Sequence, residues 1–192
     1  MKKKDGFTLI ELLVAMAILV IMVLMVAPLM SSISKTNRRT QELNQLDINV
    51  GRTIDVFKRA VRGSQPILDN WVITNSAIYL AKNREATPIE DTNITTSKFI
   101  VINVPKEISE NNYKDEKVIF YYDSDDKELV LNSTTGSAMP ITRPVILVKN
   151  VLDANFGYKN NIATIYLKVK LDPKEDDATA RFKEIRDAAV TR

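Results

Sequence analysis

The distribution of apolar positions divides the chain into three stretches. Positions 7–30 are almost wholly apolar, and between 12 and 27 no polar side chain occurs. As a helix, this run is roughly 36 Å long, enough to cross a hydrocarbon core of about 30 Å. Past Met30 the composition turns to Ser, Thr, Asn, Gln and Arg, with no strong breaker before Gly63-Ser64-Gln65-Pro66. Within this second stretch Leu43, Leu46, Val50, Ile54, Phe57 and Val61 recur at spacings of three and four, which is one stripe of a helix. The pattern predicts an amphipathic half of the same helix over 31–62. Gly51 is its weak point, costing about 1 kcal/mol against alanine, and Gly63 is its stop.

The third stretch reads as strands. β-branched and aromatic residues cluster at 71–74, 77–81, 99–104, 118–122, 128–131, 145–148 and 162–171. Asn75-Ser76 forms a short turn between the first two, and 123–127 is a hairpin turn. The polar segment 82–98, containing Pro88, is a loop. Positions 139–144, bounded by prolines near both ends, form a loop or edge segment; the pattern of 175–192 permits an exposed helix or a final edge strand, and the strand reading places it within 178–187. The helical stripe and one sheet face must both be buried, and packing one on the other achieves this. The predicted class is α+β, a long N-terminal helix packed on an antiparallel β-sheet as a lollipop.

Composition adds exclusions. The chain has neither cysteine nor histidine, so it can assemble no disulfide, thiolate nucleophile, Cys/His zinc site or Ser-His-Asp triad. About 125 residues beyond the helix suffice for a core without disulfides. The net charge is +3, and losing the three Lys and one Asp of positions 1–6 would lower it to +1. A basic pI that rests on so few residues is a poor argument for nucleic-acid binding.

The apolar run is too long for a secretory signal core, and no small-residue cleavage pattern closes it. Lys2, Lys3 and Lys4 precede it, which predicts a cytoplasmic N-terminus and an external C-terminal bulk. Glu11 does not suit a plain anchor. A carboxylate within the bilayer costs about 2.5–3.5 kcal/mol on insertion scales and calls for a partner. No Lys or Arg follows within two helical turns. A cation from outside the chain would serve, as would a free α-amino group at the same depth.

The run Gly6-Phe7-Thr8-Leu9-Ile10-Glu11-Leu12-Leu13-Val14-Ala15, after a short basic leader, resembles the signal of type IV prepilins and type II secretion pseudopilins. The resemblance implies cleavage between Gly6 and Phe7 by a membrane prepilin peptidase, followed by N-methylation of Phe7. It implies that Glu11 pairs with the Phe7 amine of a neighbouring subunit. Two charges that are each costly in lipid then neutralise one another on docking. It also implies a bend at Pro28, which a prolyl ring favours in any helix.

On that reading the organisation is a cleaved leader at 1–6, a membrane or filament-core helix at 7–30, an amphipathic helix at 31–63 and a β-rich external domain at 64–192. The implied partners are other pilins through their N-terminal helices, the peptidase, a membrane assembly platform and the membrane itself. The location is the cytoplasmic membrane, then a filament outside it. "KVIFYYDSDDKELVLNS" with "PVILVKNVLDANFGYKNN" is similar, more loosely, to minor pilins and pseudopilins of the PilW and GspJ kind, which implies an aromatic strand after Asn150-Val151. The likeness favours a minor filament subunit, with a displayed adhesin or DNA-contacting tip protein as the alternative.

The remaining candidates favour plainer readings. Asp123, Asp125 and Asp126 fail the calcium-loop pattern, because Lys127 and Glu128 fall where an oxygen ligand and a glycine are needed. They read as a solvated turn, as do Glu175, Asp176 and Asp177. Arg38, Arg39, Arg52, Arg59 and Arg62 are interspersed with Glu42, Asp47 and Asp55, which disfavours a nucleic-acid surface and suggests a solvated or subunit-contacting face. Trp71, Tyr121, Tyr122 and Tyr158 read as core. No catalytic constellation, metal site or cofactor site is apparent. The chain is expected to be a peptidase substrate rather than an enzyme.

Overall fold

The computed structural model describes residues 8–64, 67–69, 72–75, 77–91, 94–109, 112–135 and 144–191. Gly6, Phe7, Trp71 and positions 139–143 lie outside these, so the expectations attached to them have no structural counterpart here. By contacts the chain divides into two units, Met1–Gln45 and Leu46–Arg192.

A single helix, α1, runs Leu9–Arg62 over 54 residues, with Pro28 in its interior. Pro28 therefore does not end the helix. From Leu9 to Ile33 all large apolar side chains are exposed, and Leu43, the first residue of the predicted stripe, is half-buried. Over its last four turns the predicted stripe is inward, with Val50, Phe57 and Val61 buried and Leu46 and Ile54 half-buried. Thr53 joins them, its Oγ1 donating to the Asn49 carbonyl at 2.8 Å, so the hydroxyl enters the core satisfied. The helix closes as Gly63 N–H donates to the Arg59 carbonyl at 2.9 Å.

The second unit carries eleven described strands, all paired antiparallel. A five-stranded sheet has the order β3-β5-β6-β7-β8, from β3 (Ile78–Ala81), β5 (Phe99–Ser109), β6 (Asn112–Asp123), β7 (Glu128–Thr135) and β8 (Val145–Lys149). A four-stranded sheet has the order β11-β10-β9-β4, from β4 (Thr96–Ser97), β9 (Val151–Lys159), β10 (Ile162–Lys170) and β11 (Phe182–Val190). A separate ribbon joins β1 (Ile67–Asp69) to β2 (Val72–Asn75).

Phe57 of the helix, Phe120 of the five-stranded sheet and Phe156 of the four-stranded sheet meet at the centre of the core. Their ring centroids are 5.4, 6.2 and 6.4 Å apart, with Phe57 edge-on to Phe120. All three are fully buried. One core thus unites three elements, and each ring contributes both area and a favourable aromatic geometry. The five-stranded sheet is also apolar on its other face, where Val101, Ile119, Tyr121 and Val130 form a second buried cluster.

Turn chemistry sets the registers. Asn160 and Asn161 have φ of 51° and 63°, so the β9–β10 hairpin turns on two left-handed residues of the type that matches strand twist. Lys127 closes the β6–β7 turn at φ 54°, where glycine would be less strained. The exposed edge β11 is guarded by charge. Asp187 accepts from Ala188 N–H at 2.7 Å and from Lys58 at 2.8 Å, while Lys183 binds Asp47 at 2.8 Å.

Several expectations need correction. The α+β class with antiparallel pairing holds, but among the described residues the strands form two main sheets and a ribbon in place of one sheet. Positions 71–74 and 77–81 do not form a hairpin: β2 pairs with β1, and β3 pairs with β5 from Ile78↔Ile102 to Ala81↔Phe99. The loop expected at 82–98 contains β4, which pairs with β9. The final edge strand exists but lies at Phe182–Val190, because 171–181 is a loop closed by Leu171 N–H donating to the Arg181 carbonyl. Strand β9 was implied only by the likeness to minor pilins; its run VLDANFGYK alternates too weakly to be read from pattern.

Candidate processing and assembly site

The first helical turn is organised by Thr8 and Glu11. Thr8 N–H donates to Glu11 Oε2 at 2.9 Å, and Thr8 Oγ1 donates to the same oxygen at 2.9 Å. In return Glu11 N–H donates to Thr8 Oγ1 at 3.4 Å. This reciprocal pattern is a capping box, with Thr8 as the cap and Glu11 three residues on. It fixes the start of the helix at Leu9 and satisfies amide groups that a helix N-terminus otherwise leaves unpaired. The carboxylate also lies at the positive end of the helix dipole.

Glu11 therefore has a partner in its own chain, the neutral Thr8, where the sequence offers no nearby cation. The signal was legible as Thr8-x-x-Glu11 ahead of an apolar run. Both Thr8 bonds fall on Oε2. Among the described residues, Oε1 accepts no hydrogen bond. One oxygen caps the helix and the other remains open to a donor from elsewhere.

Around and beyond this turn, the large apolar side chains from Leu9 to Ile33 range from 48% exposed at Val26 to 80% at Leu9. The helix is long and apolar enough to cross a membrane, and none of its most apolar stretch is buried within the molecule. A helix apolar on all sides belongs in lipid or against other protein.

Residues 1–27 match the family model of the prokaryotic N-terminal methylation motif. The match spans the basic leader, the Gly6–Phe7 bond, the capping box and most of the apolar run, and none of the sheets. The motif supports a place among type IV pilins and pseudopilins, and the long apolar helix fits membrane anchoring. No curated protein and no solved structure matches the chain.

The other candidate residues are held structurally. Asp123 is buried and bound by Arg84 at 2.6 Å, and its second oxygen accepts from Asp125 N–H at 3.2 Å. Among the described residues no three acidic side chains gather as a metal-binding group. Asp177 is gripped by Lys127 and by Lys170 at 3.0 Å, and those two hydrogen bonds hold its carboxyl below the usual range. Tyr121 lies in the second apolar cluster, where burial pushes its hydroxyl pKa up. Tyr122 donates to the carbonyls of Val151 or Leu152, at 3.1 and 3.2 Å, tying the two sheets together. Tyr158 packs against the main core. Arg38 pairs with Glu42 at 3.4 Å on the exposed helix, while Arg39, Arg52, Arg59 and Arg62 face solvent.

Proposed function

We propose that this chain is a subunit of a type IV pilus or a related secretion or competence filament, of the minor pilin or pseudopilin kind. The observation that carries this reading is Glu11: a carboxylate on an uncovered apolar helix, half satisfied by its own cap, within a methylation motif. A prepilin peptidase cuts between Gly6 and Phe7, and the new Phe7 amine is N-methylated. The amine of one subunit meets the open oxygen of Glu11 on the next. Burying either charge alone is costly, so the pair forms only when subunits are in register.

Cleavage also removes Lys2, Lys3 and Lys4. Dragging each lysine outward against the membrane potential costs about 2.3 kcal/mol per 100 mV, so an uncut leader locks the subunit in the membrane. The platform and the other pilins supply the remaining contacts, and the chain itself performs no chemistry. Its assignment as a minor subunit, with an initiating position at the tip, rests on the loose likeness of its 117–161 region to such subunits.

Mass spectrometry of the mature chain tests the reading. The expected N-terminus is N-methylated Phe7, and a chain that retains its leader refutes the proposal.

A second reading, a filament-displayed binding module, draws on the outer face of the four-stranded sheet. There an open groove of about 760 Å³ is floored by Thr164, Tyr166 and Asn155, and the Arg186 guanidinium lies 5.2 Å from the Tyr166 ring centre. Deletion separates the two. Loss of an assembly subunit changes filament number, whereas loss of a binding module leaves filaments in place without their adhesive or DNA-capturing activity.

A further inference from the structure

Two charged features of the second unit have no role in the core. The outward face of the last helical turns carries Arg52, Arg59 and Arg62, all exposed, and among the described residues none of them forms an ion pair. Asp55, between them, is exposed as well. The second feature is a pair of neighbouring loops, the turn 124–127 and the segment 171–181. The Lys127–Asp177 ion pair joins them, and they display Asp125, Asp126 and Asp176 as exposed carboxylates. Among the described residues none of those three acids forms an ion pair, although Asp176 acts on the Lys127 ammonium at longer range; Asp123, Asp177 and Glu175, in contrast, are bound by Arg84, by Lys127 with Lys170, and by Arg181.

The two features lie toward opposite ends of the unit. Asp47 binds Lys183 at the start of β11, and Lys58 binds Asp187 further along it, so the helix and β11 run in the same direction. The loop 171–181 leads into β11 and therefore lies at the Leu46 end of the helix. Arg59 and Arg62 lie at the other end, where Gly63 approaches Val104. One unit thus presents an acidic end and a stripe of three arginines about 15 Å long toward its far end.

We infer that the arginine stripe is a docking face for the acidic loops of a second copy of this chain. This inference rests on the filament reading and names one of its contacts. Because the two surfaces differ, the contact is head-to-tail; such a contact forms a ring where its rotation closes and extends where it does not, and within a filament it extends. Its charges set orientation and register more than strength, as rim charges commonly do. Under this arrangement the subunit enters filaments in runs of at least two copies.

The absence of native cysteine makes the test clean. Chains carrying Arg59→Cys and chains carrying Asp126→Cys are co-expressed in the filament-forming cell and oxidised. A mixed disulfide dimer is expected, and neither variant expressed by itself should dimerise to the same extent. In a second arm, Asp125, Asp126 and Asp176 are changed to Lys, or Arg52, Arg59 and Arg62 to Glu. Each set should lower incorporation about tenfold, as three exposed pairs allow, and the two sets together should restore it. Disulfides only to a different subunit, reversals without effect, or a combined variant that is not rescued overturn the contact. In those cases correct processing at Gly6–Phe7 leaves the filament reading standing, whereas an uncut leader removes that reading itself.

Discussion

Two parts of one helix solve opposite problems. From Leu46 to Arg62 the helix is amphipathic, and its apolar stripe is covered by two sheets of the same chain. From Leu9 to Ile33 it is apolar on every side, and none of its large apolar residues is buried. The first arrangement is a domain core completed by folding. The second is a core that its own chain leaves uncovered. The contrast shows that hydrophobicity alone does not locate a protein's interior: a stripe marks surface buried within the chain, and a sleeve marks surface to be buried by lipid or by another chain. A polar group has different consequences in the two parts. Thr53 bonds the Asn49 carbonyl and serves packing. Glu11 Oε1 accepts no hydrogen bond among the described residues, and it is the oxygen that the proposed subunit contact uses.

The sharpest way to break the comparison is Glu11→Gln. The variant keeps the helix start largely intact, since an amide oxygen still accepts from Thr8, but it cannot neutralise an incoming amine. Breaking a buried charge pair costs about 3–5 kcal/mol, so incorporation into sheared filaments should fall by about two to four orders of magnitude. Thermal unfolding of the Leu46–Arg192 unit within the detergent-solubilised chain should not change. Filaments that incorporate the variant normally would remove the special role of Glu11.

The converse experiment is Phe57→Ala. Phe57 is fully buried and touches both Phe120 and Phe156, so truncation leaves a cavity at the junction of helix and sheets. The expected loss is about 3–5 kcal/mol of stability, read by denaturant or thermal unfolding. Leu24→Ala, at a side chain 69% exposed, should leave that unfolding transition where it is. If the two substitutions destabilise equally, the distinction between stripe and sleeve fails.

The two parts were unequally legible in the sequence. The sleeve, the stripe and the helix stop at Gly63 are local patterns, and each appears where its residues indicated. Strand partners were not legible, because pairing is set by tertiary contacts between distant residues. β2 turned away from β3 to pair with β1, and the two-residue β4 is defined by its pairing with β9. Close approach there depends on Gly157: a Cβ at that position would stand 2.5 Å from Thr164 Oγ1 and 3.1 Å from the Thr95 carbonyl. The displaced final strand has a similar cause. The 171–181 loop is ordered by Glu175 binding Arg181 and Asp177 binding Lys127 and Lys170, pairs that no periodicity reveals. At the candidate site, Glu11 stood out as an anomaly. Its partner Thr8 was equally readable, but only to a search for a capping box.

Thr8→Ala tests that partnership at smaller scale. Loss of the cap should cost the first helical turn about 0.5–2 kcal/mol. Amide exchange at Leu9–Leu12 in micelles should quicken accordingly, while exchange in the Leu46–Arg62 turns stays slow. Unchanged exchange at the first turn would mean that Glu11 is not committed to the cap, and that both its oxygens are open.

The smallest expected effect lies where the helix meets the sheet edge. Lys58 bonds Asp187 and holds its carboxyl below the usual range, opposed by partial burial and helped by the Ala188 N–H. A carboxyl with a depressed folded pKa contributes stability that is fully present above its unfolded pKa of about 3.9, and this is lost as pH falls through the folded value. Asp187→Asn should therefore lower Tm by about 1–4 °C between pH 5 and 8, the range expected of a partly exposed pair. The gap to the wild type should narrow below about pH 4 and close once the pH has fallen past the lowered folded value. Thermal melts of both proteins across that range check the sign. A gap that persists in acid would mean that the asparagine disturbs β11 itself, and that the ion pair is not what fastens the covered half of the helix to its edge.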